Sequence, residues 1–108
     1  MDDRIAEMPN NAASTDAPVS ASDESLVKLL RDGDMRAAEQ LVRRYRDALV
    51  RYLQRLCRSE PLAEELHQQT WLSVLEHVSK FDATAAGGFK AWLFRIATNK
   101  ANKVRRRV

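Results

Sequence analysis

The chain has 108 residues, 44% of them hydrophobic and 31% charged, with only three glycines, three prolines and one cysteine. That length suits one small domain, and the composition excludes a collagen, a linker array and a turn-rich β-sandwich. The lone Cys57 cannot form an internal disulfide, no apolar run nears the roughly 18 residues that cross a bilayer, and Met1-Asp2-Asp3-Arg4 does not open a secretory signal, so the chain reads as cytoplasmic and metal-free.

The formal net charge of +3 conceals an asymmetry. Residues 1–25 hold six acids and one base, whereas from Arg95 onward there are six bases and no acid. Residues 1–22 are mostly Ala, Ser, Asn, Asp and Pro and bury too little to offset the entropy of ordering, which predicts a disordered acidic leader. The ordered domain is expected to span residues 23–108.

Ser22 caps a short apolar helix carrying Leu26, Val27, Leu29 and Leu30. Gly33 then supplies a left-handed stop and Asp34 starts the next helix. The second helix is predicted to run to about Arg58, with Ala38, Leu41, Val42, Tyr45, Leu49, Tyr52, Leu53 and Leu56 at three- and four-residue spacing. Its arginines 43, 44, 46, 51, 55 and 58 read by default as a solvated face. Ser59-Glu60-Pro61 resets the chain and opens a third helix to about Lys80, whose apolar face holds Ala63, His67, Trp71, Val74, Leu75 and Val78. Phe81–Gly88 breaks the period, and its Gly pair marks a loop before a fourth helix. No segment alternates with period two. The fold class is all-α, a compact bundle of about four helices.

The fourth helix carries most of the functional signal. Phe89, Leu93, Ile96, Ala97 and Val104 point inward at 100° per residue, while Trp92, Arg95, Asn99, Asn102 and Arg106 fall on the other side. Guanidinium groups neutralise phosphate, carboxamides pair with base edges and an indole stacks on a base. The bland alternative is a tryptophan at the core edge among solvated arginines. Cys57 reads as a structural thiol, and His67 and His77 as packed or surface residues, since neither has ligand-type neighbours at metal spacing. No glycine-rich phosphate cradle, activated nucleophile or paired carboxylate suggests catalysis, so no catalytic residue or cofactor is assigned.

Phe81-Asp82, Phe89 and Trp92-Leu93-Phe94-Arg95-Ile96-Ala97-Thr98-Asn99 resemble region 2 of bacterial extracytoplasmic-function sigma factors, the group 4 members of the sigma-70 family. Ala63-Glu64-Glu65-Leu66-His67-Gln68-Gln69-Thr70-Trp71 is similar to the same family's Ala-Glu-Asp-Leu-x-Gln-Glu-x-Phe helix. The resemblance covers residues 23–107. It implies a non-enzymatic domain that recognises and melts the promoter minus-ten element. Its implied docking residues for the β′ coiled coil of the RNA polymerase core are Glu65, Gln68 and Gln69. Its implied specificity loop is Asp82, Ala83, Thr84, Ala85, Ala86, Gly87 and Gly88, which would capture a flipped base of the non-template strand. Trp92, Arg95, Asn99, Asn102, Lys103 and Arg106 would supply the remaining DNA contacts.

Four departures stand out: Glu65 for the usual Asp, Gln69 for Glu, His67 for an aliphatic residue, and Lys103 where an Asp is common. An anti-sigma factor covering the docking face is compatible with the resemblance. The group's second domain, region 4, has no counterpart here, so an isolated, truncated first domain is expected. Two rival readings remain open: a helical protein-interaction module without a DNA role, and a basic helical DNA binder without base preference.

Overall fold

The structure is a computed structural model that describes residues 21–107, the side chains of Arg106 and Arg107 excepted. The acidic leader expected over residues 1–22 lies almost entirely outside the described residues, as does Val108. The described residues form four helices: α1 (Asp23–Arg31), α2 (Met35–Cys57), α3 (Glu60–His77), continued by a 3-10 turn (Val78–Lys80), and α4 (Gly88–Arg107). The fold is all-α. Two compact units divide within α2, one ending at Leu41 and the other beginning at Val42.

The first unit shows how sharply short side chains punctuate this chain. The Ser22 hydroxyl accepts the Ser25 N–H at 3.1 Å, capping α1. At its other end Gly33, with φ +93°, lets the Gly33 and Asp34 N–H groups reach back to the carbonyls of Leu30 (2.9 Å) and Leu29 (3.0 Å). This paired closure requires a left-handed residue, which glycine adopts without steric cost. Asp34 Oδ1 then accepts the Arg36 N–H at 3.0 Å and starts α2. Leu26, Val27, Leu30, Ala37, Ala38 and Leu41 are buried.

In the second unit α2 ends at Cys57, followed by Arg58 at φ +55°, whose N–H bonds to the Gln54 carbonyl at 2.8 Å. Ser59 caps α3 by accepting the Leu62 N–H at 3.3 Å, with Pro61 in the first turn, where its missing N–H costs nothing. The buried face of α3 is Ala63, Leu66, His67, Thr70, Trp71 and Val74, continued by Val78 in the 3-10 turn. Leu75, expected on that face, is instead exposed. It lies at the edge of the buried arc, and Leu66 and Thr70 occupy the positions nearer its centre. In α4 the buried positions are Phe89, Leu93, Ala97 and Ala101, whereas Ile96 and Val104 are only half-buried.

Phe89 is the hub of this unit. Its ring lies 6.0 Å from Tyr45 of α2, 6.2 Å from Trp71 of α3, 6.0 Å from Phe81 and 5.9 Å from Trp92. Such a cluster brings three helices and the end of the 3-10 turn together around one side chain. Aromatic pairs in these geometries add about 0.5–1.5 kcal/mol each beyond the area they bury.

Candidate nucleic-acid interface

The loop between the 3-10 turn and α4 is pinned at both ends by buried phenylalanines. Phe81 and Phe89 are 5% and 1% exposed and meet edge to face at 6.0 Å. Between them residues 82–87 are all exposed. Asp82 Oδ1 accepts both the Thr84 N–H (2.9 Å) and the Thr84 hydroxyl (2.6 Å), and the Ala85 N–H bonds to the Asp82 carbonyl at 3.1 Å. An aspartate at the first position of a turn often folds the backbone back in this way. Gly87 and Gly88 both take positive φ, +84° and +62°, to deliver the chain into α4. A β-carbon at Gly87 would stand 2.5 Å from that of Ala91, so only glycine fits. The result is an exposed loop whose shape is set from within.

The predicted stripe on α4 is brought together in part. Arg95, Asn99 and Lys103 are exposed. Asn102 is half-buried and accepts a long 3.4 Å hydrogen bond from Arg105. Arg106 lies in α4, but its side chain is outside the described residues. Trp92 departs from the simple helical wheel: it is half-buried, its ring 4.8 Å from Phe81. Phe81 emerges from the 3-10 turn alongside it and covers one part of the indole. Trp92 therefore joins the aromatic cluster behind the loop while keeping partial access to solvent.

Helical periodicity did not reveal how α3 and α4 combine. Ser73 and His77 of α3 line a cavity of about 190 Å3 together with Ile96, Asn99, Lys100 and Lys103 of α4. The Nδ1–H of His77 donates to the Ser73 carbonyl at 2.9 Å, which leaves Nε2 as the second ring nitrogen. A neighbouring cavity is lined by Gln69, Leu72, Ser73, Leu75, Glu76 and Lys100, so Lys100 belongs to both. The nearest signal in the sequence was the basic character of the chain's last fourteen residues, which named Lys100 only as a charge.

On the outer face of α3, Glu65, Gln68 and Gln69 are exposed. The Gln69 amide donates to Glu65 Oε2 at 3.1 Å, one turn apart. Beside them Leu72 is 62% exposed. On the flank toward α2, Arg46 grips both oxygens of Glu64 at 3.0 and 3.1 Å. Both side chains are about half exposed, which limits this pair to about 0–1 kcal/mol. His67 is buried, and Nε2 of its ring accepts the Trp71 indole N–H at 3.0 Å. Burial, and then the charge of Arg46, hold its pKa below the ordinary 6.5, against the opposing pull of Glu64.

Among the described residues no three His, Cys, Asp or Glu side chains gather as a metal site, and no helix is long and apolar enough to cross a membrane. Residues 41–108 match the family model for sigma-70 region 2. The chain is 32% identical over 84 residues to the RNA polymerase sigma factor NccH of Alcaligenes xylosoxydans xylosoxydans, covering 78% of this chain and 44% of that protein. It thus spans less than half the length of that relative. A similar solved structure is the NMR structure of an engineered region 2 of sigmaE in complex with GTAAAA. The TM-score is 0.72 at 26% identity, over 82% of this chain and 90% of that one. With the family model matching well over half its residues, this chain belongs to the sigma-70 region 2 family and is a sigma-factor domain rather than an enzyme.

Proposed function

We propose that this domain recognises and melts the promoter minus-ten element while docked on the RNA polymerase core, and so acts in the cytoplasm. The observation that carries the reading is the exposed loop 82–87, braced by the Asp82–Thr84 contacts, with Trp92 packed on Phe81 behind it and Gly88 leading into α4. A loop with its shape already set loses little freedom on receiving an extruded base, and unstacking one base costs only a few kcal/mol. Arg95, Asn99, Asn102, Lys103 and Arg106 extend the contact surface along α4, with the cations on phosphates and the carboxamides available to base edges. The likeness to a region 2 domain solved with the hexanucleotide GTAAAA supports the same use of this fold here.

Docking on the polymerase β′ coiled coil is assigned to Glu65, Gln68 and Gln69. Leu72 and Leu75, exposed one turn apart beside them, support a protein contact on this face, because adjacent exposed apolar side chains favour a partner more than a lone one does. An anti-sigma factor would compete for the same face.

The test is fluorescence anisotropy of the chain with single-stranded hexanucleotides derived from GTAAAA, each base permuted in turn, at two salt concentrations. A preference at one or two positions that disappears in Asn99→Ala or Thr84→Ala is the expected result. Binding that ignores sequence and vanishes with salt would reduce the domain to a basic helical surface. No binding to any strand would leave α3 as its only interaction surface.

A further inference from the structure

We propose that α2 carries a second contact surface, a row of arginines that holds the backbone of duplex DNA without reading its sequence. From Val42 to Arg58 the chain has six arginines, no lysine and a single acid, Asp47. Arg46 is taken up by Glu64 of α3. Arg44, Arg51, Arg55 and Arg58 are all exposed on the side of the helix opposite the buried Leu49 and Leu53, within about 60° of one another at 100° per residue. With the exposed Ala48 they make one continuous row, at spacings of four, three, four and three residues. A solvated helix face more commonly mixes acids and bases in ion pairs one turn apart, and this row does not. Asp47 stands at its edge, and Glu60, the next acid along the chain, already belongs to α3.

Arg58 supplies the second observation. Its N–H still bonds to the Gln54 carbonyl at 2.8 Å, so it continues the row past Cys57, yet its φ is +55°. Glycine takes that conformation freely and arginine does not, so an exposed arginine there points to a use for its side chain. The negative end of a helix favours cations only in its last turn, which accounts for Arg55 and Arg58 but not for Arg44 and Arg51. The chemistry of the row selects its partner. No large apolar side chain stands in it to form the dry centre of a protein interface, whereas guanidinium forks match the paired oxygens of phosphate. From Arg44 to Arg58 the row is about 21 Å long at 1.5 Å per residue, the length of about six base pairs. A duplex presents a charge every 1.7 Å or so along a rigid axis, whereas a single strand would lose freedom in being laid along the row. None of the row belongs to loop 82–87 or to α4, so the assignment stands apart from the minus-ten reading.

The experiment measures anisotropy across a salt series with two labelled probes on the 108-residue chain. One is a blunt duplex of scrambled sequence longer than the row, and the other is the single strand GTAAAA. The row variant is Arg51→Gln with Arg55→Gln. Lys28→Gln with Arg43→Gln removes the same charge elsewhere, and Arg51→Lys with Arg55→Lys keeps the charge in place; all are checked by thermal melting. The row variant should bind the duplex about tenfold more weakly at low salt, with a salt slope smaller by about two. Its binding of the single strand, and the duplex binding of the Lys28 and Arg43 variant, should both stay within about twofold. The lysine pair should keep the slope and lose part of the affinity, because the paired hydrogen bonds are gone. Equal duplex loss in the row variant and the charge-matched variant overturns the proposal, since net charge alone then explains the binding. Equal loss on both probes overturns the duplex assignment. Unchanged duplex affinity overturns it as well, whether the row proves to be a solvated face or the same variant instead weakens association with RNA polymerase core. A chain that binds the single strand but no duplex overturns this proposal and leaves the minus-ten reading intact; the reverse result separates them the other way.

Discussion

Within α3 the indole N–H of Trp71 donates to Nε2 of His67 at 3.0 Å, so a buried ring must present a bare nitrogen to a buried donor. The bond exists only while His67 is neutral with its proton on Nδ1. Burial, and then Arg46, lower the folded-state pKa below the 6.5 expected of the unfolded chain. Between those two values the unfolded chain binds more protons, so stability rises with pH there. It is fully present above about 6.5 and is lost as the pH falls through the lower folded value. Melting temperature should thus be level from pH 8 to 7 and decline on acidification below 6.5. His67→Gln, which keeps an acceptor but cannot be protonated, should remove that part of the decline.

Gly87 should tolerate no side chain. Its φ of +84° strains any L-residue, and the added β-carbon would collide with that of Ala91. Gly87→Ala should cost about 1–3 kcal/mol in urea unfolding. Ala91→Gly in the same chain should recover only the part due to the collision, so a double-mutant cycle separates the two causes.

Arg58 offers the opposite case. It holds φ +55° at the end of α2 with a side chain exposed to solvent. Glycine there would relieve about 1–2 kcal/mol of left-handed strain and lose about 0.5–1 kcal/mol to unfolded-chain entropy. Arg58→Gly should therefore raise the denaturation midpoint slightly, and Arg58→Ala should not.

Tyr52 and Thr98 form a directed chain. The Thr98 hydroxyl donates to the Phe94 carbonyl at 2.7 Å, so the Tyr52 hydroxyl, also 2.7 Å away, must donate to Thr98. Tyr52→Phe should cost about 0.5–1.5 kcal/mol. Thr98→Val should cost a similar amount, and the two together less than their sum, as measured by urea midpoints.

In the loop, charge and shape come apart at Asp82. Asp82→Asn keeps the acceptor for Thr84 and removes a negative charge that opposes DNA, so strand binding should hold or tighten at low salt. Asp82→Ala loses the brace and should weaken binding without moving the melting temperature by much. Anisotropy and thermal melts on both variants check this.

The helices were legible because their ends are written in single residues: Ser22, Gly33, Asp34 and Ser59 each make the backbone closure their chemistry suggests. Arg58 was not legible as a left-handed residue, since arginine carries no local signal for that conformation. The positions of Leu75 and Ile96 were missed for a related reason. A helical wheel ranks residues by angle, but the neighbouring helix decides where the buried arc ends. Trp92 shows the same limit, because the ring that covers it, Phe81, comes from outside α4. The cavity between α3 and α4 depends on two helices at once, and no periodicity within either could disclose the meeting of His77 with Lys100 and Lys103.

The two pinned phenylalanines have a consequence for how such a domain can change. Everything from Asp82 to Ala86 is exposed, and the cluster around Phe81 and Phe89 closes without it. Substitutions away from buried features usually alter stability by no more than about 0.5 kcal/mol. Ala83, Ala85 and Ala86 can therefore be rewritten almost independently of folding, with Gly87 as the fixed hinge behind them. Under the proposed function the segment is an interchangeable cassette, in which a new sequence preference can arise while the scaffold that displays it stays the same.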